Sequence, residues 1–350
     1  MTQARAYIGS FTSAGGAGVT AVDLDPRTGA LTAPAATDAV PDPSFLALSG
    51  DGRTLYAVSE TADGGAAALR TTAEGAPEPL GPVVPAGGGP THLALAPGGG
   101  HLLTADYGSG SVTVLPLPAD GSVGGPARTV RYSGSGPDAE RQEGPHVHMV
   151  LPDPDGRWIL SADLGTDTVR VSALDPARGV LRHHGELRLR PGIGPRHLTF
   201  HPNGRLLYVV NELEPVVTVC RWDPRPGELE RVGETALVPA GGGGPRPYPS
   251  ELVVAPHGRT AWAAVRGRDT VAVLDLEDGG GRPVLRTEVP CGGRWPRHLV
   301  LDAPANRLYA ANEHSGDVTW FDVDPGSGVP VRSGSLPVAA ASCVLLARGR

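Results

Sequence analysis

Apolar and polar positions alternate with a period of two in short runs along the whole chain, and the runs recur in a fixed order. A run such as Leu46-Ala-Leu leads into a turn pair, Asp51-Gly52, and then into Leu55-Tyr56-Ala-Val. Strand, tight turn, strand is the reading such alternation supports. The same unit, opening on Pro-x-x-Leu and resuming after Gly-Arg, returns at Pro90, Val147, Pro195, Pro249 and Pro296. Counted from Pro43, successive starts lie 47, 57, 48, 54 and 47 residues apart. A third alternating run follows in most units (Val112-Thr-Val-Leu, Val169-Arg-Val-Ser, Val217-Thr-Val-Cys, Val271-Ala-Val-Leu), and turns such as Asp223-Pro-Arg-Pro-Gly lead to a fourth. No segment reads as a long amphipathic helix.

Four strands per repeat of about 40–50 residues is the signature of a propeller blade. Six full units leave two ends. Ala6 to Phe11 resembles a second strand without a first, and Leu336-Pro337-Val338 with the residues after it resembles a first strand with nothing following. Joined, they make a seventh blade and remove the open sheet edges. The fold class is therefore all-β, a seven-bladed β-propeller over residues 1–350 as one domain, closed by pairing of the terminal strands.

Composition changes this picture little. With 50 glycines and 36 prolines, about a quarter of the chain is turn-forming, while 40 % hydrophobic residues are ample for a core. The net charge of −7 argues against nucleic acid or an anionic membrane surface as partner. All 30 basic residues are Arg, so lysine-based phosphate loops, Schiff bases and general bases are excluded. Cys220, Cys291 and Cys343 are isolated and form neither a CxxC pair nor a disulfide framework. The start, Met1-Thr-Gln-Ala-Arg, has no apolar leader segment. A cytoplasmic, soluble monomer is the expectation.

Candidate chemistry comes from aligning the units. If the first strand lines the channel, positions +1 and +17 of each unit share one channel mouth. Position +1 reads Ser44, Thr91, His148, Arg196, Ser250, Arg297 and, in the closing blade, Val338. Position +17 reads Glu60, Tyr107, Leu164, Glu212, Arg266, Glu313 and Phe11. Repeats that served packing alone would carry similar residues here, whereas these carry one His, three Arg and three Glu. Arginines offer planar forks for a carboxylate or phosphate, and Glu or His can move protons. Strand alternation points His197 and His298 away from the channel, between blades. His201 and His257 lie beside turns and read as surface residues, and Arg266 is expected to face solvent. His146 and His148 share a face but lack an obvious third ligand, so no metal is expected. No Gly-x-Ser-x-Gly elbow, HExxH or EF-hand loop occurs.

At these residues the chain resembles the propeller lactonase family, which includes bacterial 6-phosphogluconolactonases and a fungal carboxymuconate-lactonising enzyme. The opening Tyr7-Ile-Gly-Ser-Phe-Thr, the stretch from Gly194-Pro-Arg-His-Leu to Val210-Asn-Glu212, and Val265-Arg-Gly-Arg-Asp269 carry the likeness. The last departs from the family's Asn-Arg-Gly-His in having Val for Asn and Arg for His. The resemblance implies an active site of His148, Arg196, Glu212 and Arg266, all members of the ring. It implies hydrolysis of an anionic sugar-acid lactone, 6-phosphoglucono-1,5-lactone first, without metal, cofactor or covalent intermediate. Glu212 or His148 would activate water, while Arg196 and Arg266 hold the anion and the developing oxyanion. Arg297, a second candidate for binding the phosphate, and Glu313 would contact substrate. The alternatives are lactonising or cycloisomerase chemistry on a muconate-like dicarboxylate, and a non-catalytic propeller binding a protein partner.

Overall fold

The computed structural model describes residues 4–241 and 244–347; the Met1-Thr-Gln start lies outside the described residues. Seven antiparallel sheets follow one another along the chain. We number them by repeat. Blade 1 runs from Leu46–Leu48 outward to Glu78–Pro79, and blade 2 from Pro90–Leu95 to Arg128–Arg131. Blade 3 runs from Val147–Pro152 to Val180–Arg188, blade 4 from Pro195–Phe200 to Glu228–Ala236, and blade 5 from Tyr248–Val254 to Arg282–Pro290. Blade 6 runs from Pro296–Asp302 to Pro330–Pro337. Blade 7 is assembled from both ends: Ala341–Ala347 inside, then Arg5–Ser10, Val19–Leu24 and Leu31–Thr37.

Closure rests on Arg5–Ser10 pairing with Ala341–Ala347 across the whole strand, Arg5 opposite Ala347 and Ser10 opposite Ala341. The boundary differs from the sequence expectation. Residues 336 and 337 complete the outer strand of blade 6, where Leu336 pairs with Val318. The Leu-Pro-Val run imitates a unit start because outer and inner strands share the same alternation. The residue at +1 in blade 7 is therefore Ser342, not Val338.

Each blade buries both faces against its neighbours, so apolar residues fill seven inter-blade cores. Between blades 3 and 4, for example, Leu160, Val169 and Val171 meet Leu198, Leu207, Val209 and Trp222. Outer strands are mostly exposed. His201 belongs to these cores and not to the surface: it is buried, and its Nε2 lies 2.9 Å from the Gly258 carbonyl of the next blade. His257 is exposed, as expected.

Candidate active site at the channel mouth

Inner strands share one irregularity. Their pairing with the second strand slips by one residue between positions 0 and +2 in blades 2 to 7. The extra residue is a β-bulge: Thr91, His148, Arg196, Ser250, Arg297 and Ser342. A bulge re-aims side chains, so positions +1 and +2 both reach the channel. This corrects the alternation argument for His197 and His298. The Phe45 ring lies 4.1 Å from His92, 5.6 Å from His298 and 6.2 Å from His197, residues of four different blades that can meet only along the axis. Two layers result: +1 with +17 at the mouth, and +2 beneath it.

Glu212 is the hub of the mouth. One carboxylate oxygen accepts from Arg196 Nε at 3.0 Å and meets an Arg266 guanidinium nitrogen at 2.7 Å. The other accepts from Arg141 at 2.6 Å. Burial alone would raise its pKa; Arg266, Arg196 and Arg141 more than reverse this and hold the carboxyl well below the usual carboxylate range. Arg196 also donates to the Ser250 carbonyl, and Arg266 to the carbonyls of Tyr248 (3.2 Å) and Pro249 (3.4 Å). Burial and the neighbouring Arg266 charge lower Arg196 to about 9, so it is still cationic at neutral pH. Both side chains are buried, which overturns the expectation that Arg266 faces solvent.

His148 stands beside this hub in blade 3. Burial first, then the Arg196 charge, pushes it well below 6.5 and keeps the imidazole neutral at pH 7. Its ring is 5.7 Å from Tyr107 and 5.3 Å from His197, and its buried Nδ1 has no hydrogen-bond partner. His146 also meets Tyr107 but is held by other partners: its ring stacks on Tyr107 at 4.4 Å, Nδ1 is 2.9 Å from the Tyr107 carbonyl, and Nε2 is 3.0 Å from Glu143.

Across the ring, Arg297 bridges Glu313 (3.4 Å) and Glu60 (3.3 Å) and lies 4.9 Å over the Phe11 ring. The six expected residues thus fall into two groups: His148, Arg196, Glu212 and Arg266 on blades 3 to 5, and Arg297 with Glu313 on blade 6.

Three further residues complete the Glu212 side of the mouth. Arg141 comes from the loop between blades 2 and 3, seated where Gly165 lets it approach: a Cβ there would stand 1.8 Å from the Gly144 carbonyl. Gln142 fastens the loop by donating to the Leu164 carbonyl and to Asp167, both at 2.8 Å. Asp167 also accepts from Gly192 and Gly194, so one carboxylate ties the Arg141 loop to the segment entering Arg196. Tyr107 stands at +17 of blade 2 and its hydroxyl accepts from Arg141 at 3.4 Å. Trp295, held at φ 64° with its N–H donating to Asp269, presents its ring 5.4 Å from the Arg266 guanidinium. A bulky residue in the left-handed region is strained and commonly marks a functional surface. The signal for Arg141 was the 57-residue interval, the longest in the repeat.

The family profile described as "Lactonase, 7-bladed beta-propeller" matches residues 5–346. The chain belongs to this family. A 6-phosphogluconolactonase of Bacillus subtilis is 32 % identical over 331 residues, 94 % of this chain and 93 % of that one. Among solved structures, a putative 6-phosphogluconolactonase of Bacteroides fragilis superposes with a TM-score of 0.90 at 26 % identity, covering 99 % of this chain and 98 % of that one. A periplasmic gluconolactonase of Pseudomonas aeruginosa gives 0.90 at 26 %, with 99 % of each chain covered. Family and neighbours together support a lactonase, and one that acts on a small molecule.

Proposed function

We propose that the protein hydrolyses 6-phosphoglucono-1,5-lactone, with His148 as general base and Arg196 and Arg266 as the electrophilic pair. The observation that carries the reading is the Glu212 hub, which fixes two guanidiniums beside one neutral imidazole. Glu212 itself is a poor base, because proton uptake would break three charge-assisted contacts. It positions the arginines. His148 takes a proton from water as the oxygen attacks the lactone carbonyl carbon, and the arginines stabilise the oxyanion. The carbon–ring-oxygen bond then breaks, His148 returns the proton to the departing oxygen, and the open-chain acid loses its carboxyl proton to solvent and leaves as its carboxylate.

Arg297 suits phosphate less well than its position suggests, since both its close partners are carboxylates that offset its charge. With Glu313 and Glu60 it suits the substrate's hydroxyls. Arg141, partly exposed at the arginine-rich side, is better placed for the phosphate. Every mouth carboxylate named here is engaged by arginine, which supports a reaction independent of metal.

One panel tests this reading: phosphorylated and unphosphorylated gluconolactones, each with and without EDTA. We expect kcat/KM at least about tenfold higher for the phosphorylated lactone, corresponding to about 1.4 kcal/mol of added transition-state binding, and no effect of EDTA. Turnover of no lactone above spontaneous hydrolysis would sink the proposal.

A further inference from the structure

Beneath the mouth lies a group of ionisable side chains that the chemistry above does not use. Glu251 is buried at position +2 of blade 5, an expensive place for a carboxylate. Its Oε2 is 3.0 Å from His197 Nδ1 and 3.5 Å from His298 Nε2, while Oε1 accepts from the Leu252 N–H at 3.0 Å. When Glu251 is ionised, His197 must carry its proton on Nδ1, which leaves the Nε2 lone pair as its acceptor. Two buried ring nitrogens next to His197 lack partners, Nδ1 of His148 and Nδ1 of His92. Their rings stand 5.3 and 5.6 Å from that of His197. His148 is the nearer ring and the one beside the arginine hub.

We propose that Glu251 and His197 are positioning residues that fix the tautomer of His148. His197 Nε2 accepts from His148 Nδ1–H, a small rotation of two rings that meet edge-on at 67°, and His148 is left with its lone pair on Nε2 as the base. When His148 takes a proton, the cation is backed through His197 by the Glu251 carboxylate, and no atom beyond that proton moves. This is the logic by which a buried carboxylate orients a catalytic histidine, with a second imidazole interposed. The other groups facing the pair are His92, His298, Arg196, Arg266, Arg297 and Glu212. The arginine charges oppose protonation of His148 and His197, while the Glu212 charge favours it at His197; the Glu251 carboxylate, 3.0 Å from His197 Nδ1, adds to that by direct contact. Burial raises the Glu251 pKa, while His298 and Arg196 pull it back.

The inference rests on His148 being the base, but its test does not need turnover. Nitrogen-15 shifts of the imidazoles, recorded on the whole protein, report each tautomer directly. We expect His148 as Nδ1–H in the wild type. In Glu251→Gln the carboxamide can donate to His197 Nδ1, reversing that ring, and His148 should pass largely to Nε2–H. With an active lactone, kcat should fall about 10²-fold, KM should change less than twofold, and the acid limb of the profile should move to lower pH. His298→Gln touches Glu251 but not His148, and should leave the tautomer and the pH profile alone. A wild-type His148 protonated on Nε2 overturns the proposal, even if the Gln variant fails to fold. An unchanged tautomer in a folded Glu251→Gln overturns it too. If no lactone is hydrolysed but the tautomer switches, the functional reading fails and the positioning pair stands.

Discussion

The two layers of the channel sit one residue apart in the sequence and handle charge in opposite ways. At the mouth, Arg141, Arg196, Arg266 and Arg297 each meet a carboxylate of Glu212, Glu60 or Glu313, and buried groups keep their charge. In the layer below, burial pushes His92 and His197 well below 6.5 and His298 down to about 4, and it raises Glu251. Depth alone does not explain the difference, because Arg196 and Glu212 are as buried as the histidines. What differs is an opposite charge within bonding distance, which offsets desolvation at the mouth and is scarce beneath it. His148 lies at the seam, a mouth residue with lower-layer behaviour.

The largest expected effect comes from removing the mouth's shared anion. Glu212→Gln leaves Arg196 and Arg266 buried without their carboxylate, and breaking a buried pair in this way costs about 3–5 kcal/mol. The melting temperature should fall by several degrees, and kcat/KM should drop about 10³-fold because both arginines lose their aim. A variant with wild-type melting and kcat/KM within threefold would show that the mouth does not depend on its ion pairs.

Asp106 extends the comparison beyond the channel, as a buried carboxylate whose hydrogen bonds come from Thr104, Ser111 and Thr113 and not from a cation. Burial raises its pKa from 3.8 to about 6. The folded state therefore binds this proton more tightly than the unfolded one, so stability is lost as pH rises from about 4 and the loss is complete above about 6. The shift corresponds to about 3 kcal/mol. Blades 4 and 6 place Asn211 and Asn312 at the same position, each donating to the equivalent threonine. Asp106→Asn should thus stabilise the protein at pH 7 and do little at pH 4, as read by melting across that range. A gain independent of pH would contradict the burial argument.

Much of this arrangement was legible in the repeat. Unit spacing led to seven blades, and position-by-position comparison led to Arg196, Glu212 and Arg266, because a blade that serves only packing has no use for charge at its inner end. The errors have local causes. Strand alternation sent His197 and His298 between blades, but a single-residue bulge is silent in a two-residue period. Val338 reads as an inner-strand residue because Leu336-Pro-Val matches a unit start, whereas Leu336 pairs with Val318, eighteen residues earlier, in the outer hairpin of blade 6. Arg141 occupies no repeat position, so only the stretched interval between blades 2 and 3 marked it.

The smallest expected effect is also the most discriminating about the mouth, since it removes geometry and keeps charge. Arg266 meets Glu212 with one nitrogen, donates to the Tyr248 and Pro249 carbonyls, and lies beside the Trp295 face. A lysine ammonium can reach the Glu212 oxygen as a point charge but cannot hold the planar fork against the other three at once. Arg266→Lys should therefore lose at least about tenfold in kcat/KM, about 1.4 kcal/mol, and resemble Arg266→Ala in activity. Stability should split the other way. The lysine still balances Glu212 and should melt within a few degrees of wild type, whereas alanine leaves part of the carboxylate's charge unanswered and should melt lower. Kinetics and melting on the same three proteins thus separate aim from charge. Full activity of Arg266→Lys on every lactone the wild type accepts would show that the mouth needs only a positive charge at this position, and Arg266 could then not be one of the oxyanion's two fixed donors.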